Sequence, residues 1–432
     1  MDREVSADKA PLRVGVHSEE STPALQTHVS GRRWTLLALL TSLYAAGAFG
    51  FLGVSPLSPF LLDGFGLTRF QIGLLLPAVY VGGLVFSVPA GGLADRFGAR
   101  VCLAGGLALG GLMLVVGATA PSFLVFVGCL VVTGIGWSIV NPALGKAILD
   151  LFSVRERGVA MGIKQTGQTV GGIAAALILP AVAERWGWRL AIGFGGAVVI
   201  LFLGVGWRPL GGFSSRELRR AEAAVAVSAT PRWWHRPALL VLFGSGLGFG
   251  MGQSAFLSYL PLFATQALGT SGVGAGGLLA LAQAGGAVTR LGLGAASDKW
   301  LGSRRTPCLV LTSVLTTGSF LLFAWSPDLT PGLASLIAFC AGAGVLGWVG
   351  LYMVLSVEVG GADQVGLMTG VGVAFILAGI LLGGPLFGFV LEKGDSYRVA
   401  WTLFALLSAL IGTTLWAASP AIHRECREKG SP

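Results

Sequence analysis

Residues 91–100 read GGLADRFGAR, and residues 294–305 read GAASDKWLGSRR. Placing Asp95 on Asp298 also places Gly91 on Gly294 and Arg96 on Lys299. The same kind of match recurs farther along. GVAMG at 158–162 resembles GLMTG at 366–370, and Trp188-Arg189 resembles Tyr397-Arg398. The offsets are 203, 208 and 209 residues, so the second half of the chain repeats the first with small insertions.

Apolar runs surround these segments. The 432 residues are 54% hydrophobic and only 11% charged, with a mean hydropathy of +0.78, far from the balance of a soluble protein. Runs long enough to cross a bilayer as helices fall at 34–56, 71–93, 101–118, 123–149, 159–182 and 190–207, then at 237–263, 274–297, 307–325, 331–357, 366–391 and 399–418. The expected fold is therefore an all-α membrane protein with twelve transmembrane helices in two six-helix repeats. The N-terminal bundle spans 34–207 and the C-terminal bundle 237–418. Residues 208–236 form a linker in which Ser214 to Val227 suits a surface helix, with Arg216, Arg219 and Arg220 as anchors. The tail 1–33 mixes charges with Pro, Ser and Thr and reads as disordered, without the features of a signal peptide; a second short tail covers 419–432.

Of 29 Lys and Arg residues, 21 fall in the tails and loops on the N-terminal side, 5 in the opposite loops and 3 inside spans. The positive-inside rule then places both termini in the cytoplasm of a multi-pass protein of the plasma membrane, the inner membrane in a bacterium. The formal charge of +9 follows from topology and requires no nucleic-acid partner. Cysteines 102, 129, 308, 340 and 426 lack any CxxC spacing and are expected as free thiols, not as a metal site.

The motif GGLADRFGAR, its degenerate copy after the eighth span and the two-fold repeat together resemble the major facilitator superfamily of secondary transporters. The resemblance covers residues 34–418. It implies two bundles that rock about a substrate site near the membrane midplane. It also implies a lock between the second and third spans, built from Gly91, Asp95, Arg96, Gly98 and Arg100, with Asp298 in the second copy. Glycines there permit a tight turn and close helix approach. Asp95 can face a helix N-terminus, while the arginines can meet carboxylates at Asp150, Glu156 or Glu358. In the family this lock stabilises the outward-open state. Two signatures of drug-exporting members are missing: Leu130 stands where they carry arginine before a GxG, and GGIAAALILP replaces their Gly-Pro-x-x-Gly-Gly pattern.

Charged groups within spans are costly unless paired or hydrated, so they mark pathways. Here they are Lys146, Lys164 and Arg290. Lys146 lies four residues before Asp150, on one helix face, and reads first as a structural pair. Lys164, in VAMGIKQTGQTVGG at 159–172, shares a stripe with Gln168; it lines a pathway or snorkels to the surface. Arg290 shares a face with Gln283 and resembles an anion-binding arginine of the family, or else pairs with Glu358 or Asp298. Further candidates from the first, fourth, seventh and tenth spans, which line the pathway in the family, are Tyr44, Asn141, Gln253, Tyr259, Trp348 and Tyr352.

No Asp, Glu or His lies at the middle of any span. A cavity of zero or positive fixed charge suits a small organic anion, a carboxylate above all, moved by secondary or facilitated transport. Efflux or transport of a neutral or cationic compound is the alternative, and a membrane sensor that keeps the fold without transport is a third. No Walker loop or dinucleotide fingerprint is present, so gradients and not ATP are expected to drive it. The chain is expected to be no enzyme and to need no cofactor or metal. Its expected partners are the bilayer, a small-molecule substrate and a co-transported ion in symport, with the protein acting as a monomer.

Overall fold

Every apolar run becomes a helix in the computed structural model, which describes residues 23–153, 156–207, 236–300, 304–326, 329–361 and 364–428. The spans are Arg33–Leu52, Arg69–Ser87, Arg96–Ala118, Phe123–Leu151, Arg157–Trp186 and Trp188–Trp207, numbered 1 to 6. Spans 7 to 12 are Pro237–Gln266, Gly272–Ser297, Thr306–Trp325, Pro331–Gly360, Val365–Gly394 and Tyr397–Arg427. No strand occurs among the described residues. Most of the first tail, the linker 208–235, the last four residues and the side chains of Asp95 and Asp298 lie outside the described residues. The helix of span 1 begins at Pro23 and that of span 12 runs on to Glu428, because a helix satisfies its own backbone whether or not lipid surrounds it. None of the five cysteines forms a disulfide.

Spans 2 and 3 form one helical run, Arg69–Ala118, broken at Gly98. Gly98 has φ 80° and ψ 161°, a conformation open only to glycine, so this residue turns the chain between the spans. Gly91 and Gly92 do not serve the close approach expected of them, for a Cβ at either would meet nothing within 4 Å.

Helix contact is set by small residues, as it must be where lipid offers no hydrophobic drive to associate. A Cβ on Gly82 would strike the carbonyl of Val131, and one on Gly134 the carbonyl of Val79, so spans 2 and 4 cross backbone to backbone. In the second half, Gly285 and Gly342 meet Phe339 and Ala282 in the same manner, joining spans 8 and 10. These glycines are 203 and 208 residues beyond Gly82 and Gly134, so the repeat extends to the packing contacts.

Among the described residues, the close backbone contacts between the two halves gather toward one end. At the end away from the termini, Gly73 lies against Gly384, and Gly276 against Ala176. There Arg69 pairs with Asp395, Tyr259 donates its hydroxyl to the Arg69 carbonyl (2.6 Å), Glu392 accepts from the Phe70 amide (3.0 Å) and Glu184 from the Val273 amide (3.0 Å). Tyr259, a pathway candidate from sequence, is thus part of this seal. At the other end of spans 5, 8 and 11, Gly158, Gly162, Gly292, Gly294, Gly366 and Gly370 face open space. Among the described residues, the halves are joined at the end away from the termini, while these glycines at the other end meet no neighbour.

Candidate functional site

Lys164 does not reach the surface. It is 7% exposed, and its Nζ donates to Asn141 Oδ1 (2.8 Å) while lying 4.6 Å from the centre of the Tyr44 ring. The Tyr44 hydroxyl lies 3.2 Å from both Asn141 Oδ1 and Gln168 Oε1, and Gln165 Nε2 donates to Gln168 (2.7 Å). Trp137 stacks under Tyr44 at 4.9 Å, and Phe51 stacks on the other face of that system. Spans 1, 4 and 5 thus build a cage of amide oxygen and aromatic face around one ammonium, the two partners that hold a cation without neutralising it. Snorkelling is overturned because the amine finds these partners inside the bundle. Asn141 and Gln165 are exposed, which gives the cage an accessible side.

Replacing the cage's strongest acceptor exposes its cost. Asn141→Leu is expected to destabilise the protein by about 2 to 4 kcal/mol, the range for stranding a buried charge. The double variant Asn141→Leu/Lys164→Met should recover much of that loss. Melting temperatures of the three variants check this, and additive losses would show that the bond carries no weight.

Arg290 comes from the other half. Neither Glu358 nor any other described carboxylate pairs with it; Glu358 is bound by Arg305 (2.8 Å). Arg290 Nε instead donates to the carbonyl of Leu346 (2.8 Å) on span 10. That carbonyl is available because span 10 is interrupted at Trp348: one helix ends at Gly347 and the next starts at Val349. The neighbouring carbonyl, Val345, accepts from the Trp348 indole (2.8 Å). Two side chains therefore occupy two of the backbone acceptors that the kink releases. Among the described residues, the terminal Nη groups of Arg290 have no hydrogen bond or ion pair.

Tyr80, on span 2, was not among the candidates. It packs edge-on against Phe51 at 5.4 Å and touches the cores of both halves. Its signal in the sequence was its rarity, one of five tyrosines, but span 2 is not a pathway span in the family pattern.

Other candidates lie elsewhere. Trp348 and Tyr352 are fully buried in the C-terminal core, Trp348 stacked on Phe249 at 4.8 Å and Tyr352 pointing its hydroxyl at the Gly372 carbonyl (3.4 Å). Gln253 lines a small cavity among spans 7, 9, 10 and 12, with its Oε1 buried and unbonded. Helix rotation turns all three into their own bundle. Gln283 packs against Gly172 where spans 5 and 8 meet.

Among the described residues, the arginines of the expected lock pair with none of the expected carboxylates. Arg100 donates to the Trp207 carbonyl (3.0 Å) and covers the Trp207 ring at 4.2 Å, and Arg96 lies over Phe97 at 5.4 Å. Glu156 is held by Arg33 through two bonds of 2.8 and 2.9 Å. Asp150 is exposed, and Lys146 Nζ donates to the Ala94 carbonyl (3.3 Å). The described contacts of Arg96 and Arg100 stay within their own bundle, and Arg100 Nε is buried without a hydrogen-bond partner.

A model of the Major Facilitator Superfamily matches residues 37–375. The chain belongs to that superfamily. It is 30% identical over 414 residues to monocarboxylate transporter 11 of Mus musculus, covering 87% of this chain and 88% of the relative. It is 28% identical over 294 residues to an uncharacterized MFS-type transporter of Mycobacterium tuberculosis (strain CDC 1551 / Oshkosh), covering 68% of this chain. That match spans 65% of the mycobacterial relative's length, just under two thirds. A solved bacterial homolog to the human lysosomal transporter Spinster, in an inward-facing and occupied conformation, shares the fold. Its TM-score is 0.68 at 19% identity, over 91% of this chain and 97% of that one.

Proposed function

We propose that this protein moves a small organic anion, a carboxylate, across the membrane by alternating access. The observation that carries the reading is that each half holds one cation within its spans, Lys164 and Arg290, and neither is in an ion pair with a described carboxylate. An unneutralised pair of cations between apolar helices is costly, and an anionic substrate supplies the missing countercharge. Arg290 presents a planar fork that fits a carboxylate edge, and Lys164 offers a point charge steadied by Asn141 and Tyr44. Tyr44, Gln168 and Tyr80 complete the site with hydroxyl and amide groups. The monocarboxylate relative supports the substrate class.

The shape fits one half of a transport cycle. The end sealed by Gly73, Gly384 and the Arg69–Asp395 pair opens in the other half, while the glycine rows at 158–162, 292–294 and 366–370 close. Asp95, Arg96, Arg100, Asp298 and the carboxylates at 150 and 358 join the gate of that second state. The basic excess on the termini's side makes the open end cytoplasmic, in a plasma membrane.

A thermal-shift panel on the purified protein tests the reading with L-lactate, pyruvate, L-galactonate, neutral sugars and cationic drugs. Stabilisation by carboxylates alone is expected. Stabilisation only by neutral or cationic compounds would overturn it and establish the alternative class of substrate.

A further inference from the structure

The kink in span 10 and the proposed anion site share one side chain. In an uninterrupted helix the Val345 carbonyl accepts from the Val349 amide, and the Leu346 carbonyl from the Gly350 amide. Here the Trp348 indole holds the first and Arg290 Nε the second. Both donors come from outside the backbone ladder, so the kink persists only while they stay in place.

We propose that Arg290 is a positioning residue for span 10 as well as an anion-binding group, and that filling the site straightens the span. This rests on the anion reading above. A carboxylate is a charged acceptor and bonds a guanidinium about twice as strongly as a neutral carbonyl does. When it takes the edge of Arg290 that includes Nε, it displaces Leu346. The freed carbonyl lies within apolar surroundings, where an unmet acceptor is costly, and its nearest donor is the Gly350 amide. Closing that bond restores one rung of the helix. Trp348 still holds the Val345 rung open, so the anion controls one rung of the break and not the whole of it. Straightening also alters span 10 between Gly347, which packs on Thr289 of span 8, and Tyr352, which packs on Gly246 of span 7. Occupancy at Arg290 is thereby passed to two other helices of its half.

Hydrogen–deuterium exchange on the full chain in detergent, resolved to single amides, tests the device. Arg290→Ala is expected to slow exchange at Gly350, and Trp348→Phe at Val349, each by about fivefold or more, as an open amide gains a partner. Should Arg290→Ala fail to fold, Arg290→Met keeps the stem's packing and carries the same expectation. L-Lactate added to the unmodified protein should slow Gly350 more than Val349. Unchanged amides in both variants would overturn the device whatever the substrate. If the variants slow but a carboxylate that raises the melting temperature leaves Gly350 unchanged, the coupling fails and the anion reading stands. If no carboxylate shifts melting, the anion reading fails and the coupling with it, leaving only a kink held by two donors.

Discussion

Arg290→Ala is expected to lower carboxylate uptake into proteoliposomes at least about 30-fold, the loss that accompanies ~2 kcal/mol when one partner of a desolvated charge pair is removed. The size follows from geometry. Arg290 Nε is held only by the neutral carbonyl of Leu346, and its remaining donors have no bond to a described residue, so on the anion reading a carboxylate can claim the fork. Arg290→Lys keeps the charge but not the fork and should recover only part of the rate. Lys164→Met should act in the same direction, since it removes the second cation and leaves Asn141 and Tyr44 facing an apolar stem. Uptake that survives in both alanine and methionine variants, with melting temperatures unchanged, would return the two cations to structural roles.

The second large effect concerns the seal. Gly384 meets the backbone of Gly73 across the two halves, with the Ser254 hydroxyl 3.1 Å from where its Cβ would stand. Gly384→Trp drives an indole into that contact, at a cost beyond the few kcal/mol that separate the conformers of such a protein. The sealed end is then expected to stay open. A cysteine at Ser258, buried on span 7 beside Tyr259, should react with an impermeant maleimide at least about tenfold faster from that side in the variant, as a shifted population requires. Gly162→Trp makes the complementary case. Open space surrounds Gly162, so the observed shape accommodates the indole and substrate still binds. Closure of that end is blocked, and transport is lost with Ser258→Cys still protected. Equal labelling in the two backgrounds would show that neither glycine belongs to a gate.

Some of the site was legible because a cation within an apolar run is conspicuous. Lys164 and Arg290 were marked in this way, and Asn141, Tyr44 and Gln168 followed from helix spacing and the family's pathway spans. Their mutual contacts were not legible: Asn141 is 23 residues from Lys164 and Tyr44 is 124 from Gln168, so only packing of separate spans brings them together. Trp348, Tyr352 and Gln253 were placed at the pathway on span number alone. Span 10 is apolar on every side, so its sequence holds no face that says which side turns to the pathway. Tyr80 was missed for the converse reason, since its span is not among the first, fourth, seventh and tenth that line the pathway in the family.

By itself the sequence determined that this chain crosses a membrane twelve times in two repeats. Membrane spans are local: each needs about twenty apolar residues in a row, whatever lies around it. The repeated motif likewise survives in linear order. Tertiary structure alone decided that Lys164 is caged and not at the surface, that Arg290 bonds to a kinked helix and not to a carboxylate, and that the halves touch at one end. Those facts depend on helix rotation and on where the halves pack, both set by contacts between residues far apart in the chain, chiefly glycines that let backbones meet.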